Sequence, residues 1–257
     1  MVLCTVKAPT TYFSLFIAVF LCIAAWEWSR LIGISGITGR LLYVLFVVFL
    51  ISVLLFSPQK KLDLVIVFLG MFWWLYAIRL VIDFHRGKKH LLNNLRVNMV
   101  YGIFILFPAW LSLVMLHQER DHGLMVLELF ILIWLADSAA YIFGKCFGKH
   151  HMTMKISPGK TWEGVFGALL TTAVITIVYQ LVTLDVRPGY ALVILTIITV
   201  SFSILGDLVE SIFKRNAGVK DSGSIFPGHG GVLDRIDSLT AAAPIYFAGH
   251  ILMEQTK

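Results

Sequence analysis

Apolar positions in this chain come in long unbroken runs and do not alternate with polar ones. Runs close to the length of about 20 residues that crosses a bilayer lie at 11–29, 41–57, 62–82, 97–116, 123–143, 163–183, 190–211 and 238–254. Four stretches carry no charged residue: Leu41–Gln59, Val97–Gln118, Gly164–Leu184 and Pro188–Gly206. The pattern predicts eight helices and an all-α, polytopic membrane protein. The first run is read as an uncleaved span. Only Lys7 precedes it as a basic residue, and Trp26, Glu27 and Trp28 stand where small residues would mark cleavage of a signal peptide. With no repeat period, low-complexity segment or long linker, residues 1–257 read as one membrane-embedded domain.

Composition agrees. Hydrophobic residues make up 58% of the 257 and charged ones 14%, too little polar surface for a soluble globule. The three cysteines, Cys4, Cys22 and Cys146, show no spacing for a disulfide framework or a zinc site. The net charge of +6 is better read as orientation than as affinity for nucleic acid, because Lys and Arg gather in alternate connections. Of the 21 Lys and Arg residues, 15 fall in or beside the loops after helices one, three, five and seven, and 6 fall on the other side. Those odd loops are therefore expected to be cytoplasmic, with both termini outside.

The same loops hold the polar chemistry. Helix seven ends in SFSILGDLVESIFKR, which puts Ser203, Asp207, Glu210 and Lys214 on one face. A carboxylate at bilayer depth costs about 3 kcal/mol unless it meets a cavity, a cation or a partner. The bland alternative is a pairing of these carboxylates with Lys214 or Arg215. A second cluster follows in GHGGVLDRIDS, where Asp234 and Asp237 open helix eight. Asp237 would also serve as a cap or a charge at the helix N-terminus. Asp207 with Asp234 suits magnesium, which takes carboxylate oxygens and leaves positions for phosphate and water. Gly228, Gly230 and Gly231 around His229 let backbone N–H groups approach an anion, with Lys214, Arg215, Lys220 and Arg235 as compensating charge. His229 is read first as a turn residue and second as a general acid or base. In KISPGKTWEG, Ser157, Lys160 and Thr161 precede helix six, a composition that suits phosphate at a helix N-terminus or a plain N-cap at Ser157 or Thr161. Asp137 shares a face of helix five with Tyr141 and Lys145 and either lines the same cavity or anchors a helix contact.

The run Ser211–Asp237 resembles the signature of the CDP-diacylglycerol synthase (phosphatidate cytidylyltransferase) family. Ser211, Lys214-Arg215, Lys220-Asp221, Gly223, Pro227, His229-Gly230-Gly231, Asp234-Arg235 and Asp237 fall in register, and AAWEWSRL, DSAAYIFGKCFGKH and KISPGKTWEG are also similar. The resemblance implies transfer of a cytidylyl group from CTP to phosphatidic acid with Mg2+, in phospholipid biosynthesis at a bacterial inner membrane, with the site facing the cytoplasm. It points to Asp207 and Asp234 as metal ligands and to Lys160, Lys214 and Arg215 around phosphates, with Ser157, Thr161 and Asp237 as second choices. It allows a second, monovalent cation and a homodimer. Relatives generally carry a further apolar segment before AAWEW, so a chain shorter by one N-terminal helix is expected.

Two rivals remain at this level. A CTP-dependent lipid kinase would move the γ-phosphoryl group instead, and the contiguous His229 to Arg235 match argues against it. An ion-coupled transporter would also use intramembrane Asp137 and Asp207, but it would show repeated halves with polar residues near the midplane. Here they collect on one face.

Overall fold

A computed structural model describes residues 8–56, 60–88, 92–119, 123–183, 189–228 and 230–255. Eight long helices dominate these residues: α1 Thr10–Leu31, α2 Gly36–Phe56, α3 Lys60–His85, α4 Leu95–Gln118, α5 Leu124–Phe147, α6 Trp162–Thr183, α7 Gly189–Asn216 and α8 Leu233–Gln255. Each apolar run is thus a helix, and each helix extends past its run at one end or both. Intrahelical hydrogen bonds satisfy the backbone whether the side chains meet lipid or water, so polar residues can continue a span into the interface. The extension matters most in α7, where it carries Lys214 and Arg215.

Among the described residues, α1 to α7 are long and apolar enough to cross a bilayer, whereas α8 is not. The reason is position. Helix α8 runs through the middle of the bundle, against α1, α3, α4, α5 and α7, and its residues 241–248 are all buried. A helix wrapped by protein needs small residues for close packing, here Ala241, Ala242 and Ala243, and not an apolar coat for lipid. Helices α2 and α6 are the opposite case. They expose Leu42, Phe49, Phe166 and Leu170, side chains that a water-soluble protein would cover.

Two short strands, β1 His151–Thr153 and β2 Ser157–Thr161, form an antiparallel hairpin before α6, with Thr153 opposite Ser157. The sequence reading has this stretch as a loop leading to helix six, and the loop contains a hairpin. Contacts from the ends of two helices hold the hairpin. Lys155 Nζ donates to the His85 carbonyl at the end of α3 (3.2 Å), and Arg215 Nε donates to the Ile156 carbonyl (3.1 Å), with Ile156 itself fully buried. The ends of α3, α5 and α7 therefore meet on one face of the bundle.

One close approach sets the site. A methyl group at Gly206 of α7 would collide with the Asp237 carbonyl of α8, so glycine there lets the two helices touch backbone to backbone. The polar end of α7 is thereby brought against the first turns of α8.

Candidate active site

The polar stripe of α7 faces two partners. Lys160 reaches from β2 to Asp207, its Nζ 2.6 Å from Oδ2, while Ser211 Oγ donates to Oδ1 (3.2 Å). One turn on, Lys214 Nζ lies between Glu210 Oε2 (3.1 Å) and Asp234 Oδ1 (2.7 Å). The four-residue spacing expected on one face is realised, and two lysines from different elements bridge it to the hairpin and to α8. Asp237 sits one turn below Asp234. It accepts the Ser238 N–H on Oδ1 (2.7 Å), and its carboxyl group lies against Glu210. The two aspartates at the start of α8 therefore have different neighbours.

Asp234 is the most fully engaged of these carboxylates. Its Oδ2 accepts the N–H of Ser222, the hydroxyl of Ser222 and the N–H of Gly231, each at 2.8 Å, in addition to Lys214 on Oδ1. Gly230 has a φ of +81°, and a side chain there would press on Asp234. The loop that bends around Asp234 thus spends a backbone donor on a carboxylate of its own chain, not on an external anion.

A second carboxylate takes the remaining loop donors, and the sequence reading did not single it out. Glu27 of α1, 3% exposed, accepts the N–H of Val232 (3.1 Å) and the N–H of Leu233 (2.8 Å), and it lies 3.1 Å from the Ser222 hydroxyl that it shares with Asp234. Val232 and Leu233 are the entry to α8, so their N–H groups are orphan donors of a helix start, and a residue some two hundred positions away caps them. Methyl groups at Gly223 or Gly231 would collide with the Glu27 carboxylate, which explains why glycine flanks it. The sequence signals were a lone carboxylate between Trp26 and Trp28 in an apolar helix and its place in the stretch AAWEWSRL that resembles the family.

The other predicted residues divide. Thr161 is 8% exposed, and its hydroxyl caps α6 by accepting the Gly164 N–H (3.2 Å); it also packs against Gly144 of α5 and Gly148 just after it. Of the two caps considered, it is the one formed. Ser157 lies in β2 across from Thr153, away from that helix start. Arg215, Lys220 and Arg235 are exposed on the loop-bearing face. His229 lies outside the described residues. Glu163 in the first turn of α6 accepts from the backbone N–H of His150 (3.2 Å) and approaches its ring Nδ1 at 2.6 Å.

Five carboxylates, of Asp137, Asp207, Glu210, Asp234 and Asp237, thus surround two ammonium groups, with Lys160 in the field of Asp137 and Asp237 as well as paired with Asp207. Among the described residues no group of three or more His, Cys, Asp or Glu is drawn together as a metal cage. Carboxylate oxygens are hard donors of the kind magnesium takes, and one or two of them suffice to hold it. Asp207, with 31% of its side chain exposed, is the accessible one, whereas only 9% of the Asp234 side chain is exposed.

Beside this cluster opens a cavity of about 580 Å3, within the range of small-molecule sites. Asp137, Asp234, Arg235, Asp237 and Ser238 line one part, and side chains of α1, α4 and α5 such as Ile17, Leu113 and Phe130 line the rest. Asp137 therefore lines the cavity, as one of its two readings had it.

The chain matches the model of the cytidylyltransferase family over residues 1–252. It belongs to that family. Among curated relatives, it is 41% identical over 238 residues to a phosphatidate cytidylyltransferase of Pseudomonas aeruginosa, covering 92% of this chain and 87% of that one. A phosphatidate cytidylyltransferase of Haemophilus influenzae is 37% identical over 254 residues, covering 91% and 88%. One of Staphylococcus epidermidis is 46% identical over 142 residues, about half of either chain. This cytidylyltransferase is an integral membrane protein, and its polar cluster lies where the family signature and three loops meet.

Proposed function

We propose that the chain is a phosphatidate cytidylyltransferase, which joins CMP from CTP to phosphatidic acid and releases pyrophosphate. The observation that carries this reading is the meeting of a carboxylate and lysine cluster with an amphiphilic cavity inside a helical bundle. A water-soluble nucleotide and a lipid headgroup can reach one another there. The names of the Pseudomonas and Haemophilus relatives support it.

In the reaction, a phosphate oxygen of phosphatidic acid attacks the α-phosphorus of CTP, and the bond from that phosphorus to the bridging oxygen breaks, leaving pyrophosphate. The attacking monoester is already ionised near neutral pH, so no strong general base is needed. Catalysis rests on neutralising the triphosphate and holding the two phosphates in line. Lys160 and Lys214 are the inner cations; as CTP enters, Lys214 exchanges Asp234 for a phosphate oxygen. Arg215, Lys220 and Arg235, on the exposed face, draw in the nucleotide and the lipid headgroup. Asp207 and Asp234 would hold Mg2+ that arrives with the nucleotide and adds charge neutralisation at the phosphates. Glu27 fixes the loop and the start of α8 that carry Asp234 and Arg235. The Lys and Arg distribution supports a site facing the cytoplasm of a bacterial inner membrane, the compartment that supplies CTP.

The test is pyrophosphate release from CTP in detergent, with and without phosphatidic acid. Release that requires the lipid is expected. Release without lipid, or none with it, would contradict the assignment.

A further inference from the structure

The cavity reaches further into the bundle than the reacting phosphates require. Along α5 it is lined from Asp137 to Phe130, seven residues and therefore about 10 Å of helix rise. Its inner part is bounded by Ile17 of α1, Ala109 and Leu113 of α4, and Phe130 and Ile133 of α5, with no charged group among them. Counted from the loop-bearing end of α4 at Leu95, Leu113 lies about 27 Å along the helix, in the last turns before its far end at Gln118. Trp134, also on the wall, is 52% exposed, so this limb is open beside α5 and not sealed. A nucleotide has no use for such a limb. A molecule with a charged head and a hydrocarbon tail matches both ends.

We propose that the inner limb seats one acyl chain of the phosphatidic acid, and that Leu113 and Phe130 at its end, with Ala109 one turn before them, set the chain length the enzyme accepts. The proposal rests on the assignment of phosphatidic acid as substrate and adds the residues that select among its forms. The phosphate lies toward Arg235 and Ser238, the first chain runs inward past Ile133 to Leu113, and the second chain stays in the bilayer through the opening beside Trp134. An apolar pocket of fixed depth discriminates by whether the terminal methylenes fit, which is worth roughly tenfold or more for small changes in size.

Two variants move the depth in opposite directions: Ala109→Leu blocks the limb one turn short of Leu113 and Phe130→Ala enlarges its end. The readout is the ratio of kcat/KM for dioleoyl over dioctanoyl phosphatidic acid with CTP. The ratio should fall about tenfold for Ala109→Leu and rise for Phe130→Ala. A second measurement does not depend on turnover. Dioleoyl-length phosphatidic acid carrying a photoreactive diazirine near the chain terminus should label peptides containing Leu113 or Phe130 in the wild-type protein, with excess unlabelled phosphatidic acid suppressing the label. Wild-type transfer to both lipids with an unmoved ratio in both variants would overturn the chain-length role while leaving the function intact. Labelling confined to the lipid-facing side chains of α2 and α6 would overturn the seat itself. Failure of the wild type to transfer CMP to either lipid would count against the function, and labelling would then still report whether a chain occupies the limb.

Discussion

The Glu27 carboxylate accepts the backbone N–H of Leu233 at 2.8 Å, so the first helix of the bundle caps the last. Removing that acceptor strands the Val232 and Leu233 donors in a buried place, while the Ser222 hydroxyl keeps Asp234 as its acceptor. Glu27→Ala is expected to lower stability by about 1–3 kcal/mol and turnover by about a hundredfold through displacement of the loop. Thermal unfolding in detergent and steady-state rates check this, and wild-type turnover would show that the loop holds its shape without Glu27.

Asp207 and Asp234 are both expected to be needed for turnover, for reasons that separate in a stability assay. Asp207→Asn and Asp234→Asn should each reduce turnover about a thousandfold or more, and the double variant should be little worse than either, as for groups acting as one unit. Asp234 holds four donors while Asp207 holds two, so Asp234→Asn should lower the thermal midpoint further. Asp63→Asn, in the first turn of α3 away from the cluster, should leave turnover close to normal. A folded Asp234→Asn protein with near-normal turnover and unchanged magnesium dependence would remove Asp234 from the site.

Thr161 gives a contrasting expectation. Its hydroxyl caps α6 and its side chain packs on glycines of α5, so Thr161→Val should cost about 1 kcal/mol of stability and affect KM for CTP little. A large rise in KM with unchanged stability would return Thr161 to the substrate.

Much of this was legible in the sequence, and the exceptions share a cause. Eight apolar runs foretold eight helices because helix formation and bilayer length act locally. The spacing of Ser203, Asp207, Glu210 and Lys214 by four, three and four foretold one polar face for the same reason. What was missed depends on contacts between distant segments. The hairpin at His151–Thr161 is held by His85 and Arg215, neither of which is near in sequence. Glu27 gained its role from a loop at the other end of the chain. The glycine-rich turn read as an anion cradle, and it is one, but Asp234 and Glu27 supply the anions it cradles. The run 238–254 of α8 was counted as a span like the others, whereas its enclosure by five other helices lets α8 dispense with a lipid-facing coat.

Orientation is open to direct labelling. Lys220 is exposed, whereas its neighbour Ser222 is 1% exposed and bonded to Asp234, so Lys220→Cys is the informative position. In a background with Cys4, Cys22 and Cys146 changed to serine, an impermeant thiol reagent should label it only after the cytoplasmic side is opened. Labelling in intact cells would reverse the topology.

The central claim is that the α-phosphorus of CTP is transferred to a lipid, and the position of a radiolabel tests it most directly. With CTP labelled in the α-phosphate, the purified protein and phosphatidic acid should move label into chloroform-extractable lipid, and with γ-labelled CTP the label should leave as pyrophosphate. Lipid labelled from the γ position, and not from the α position, would contradict the account and identify a kinase instead.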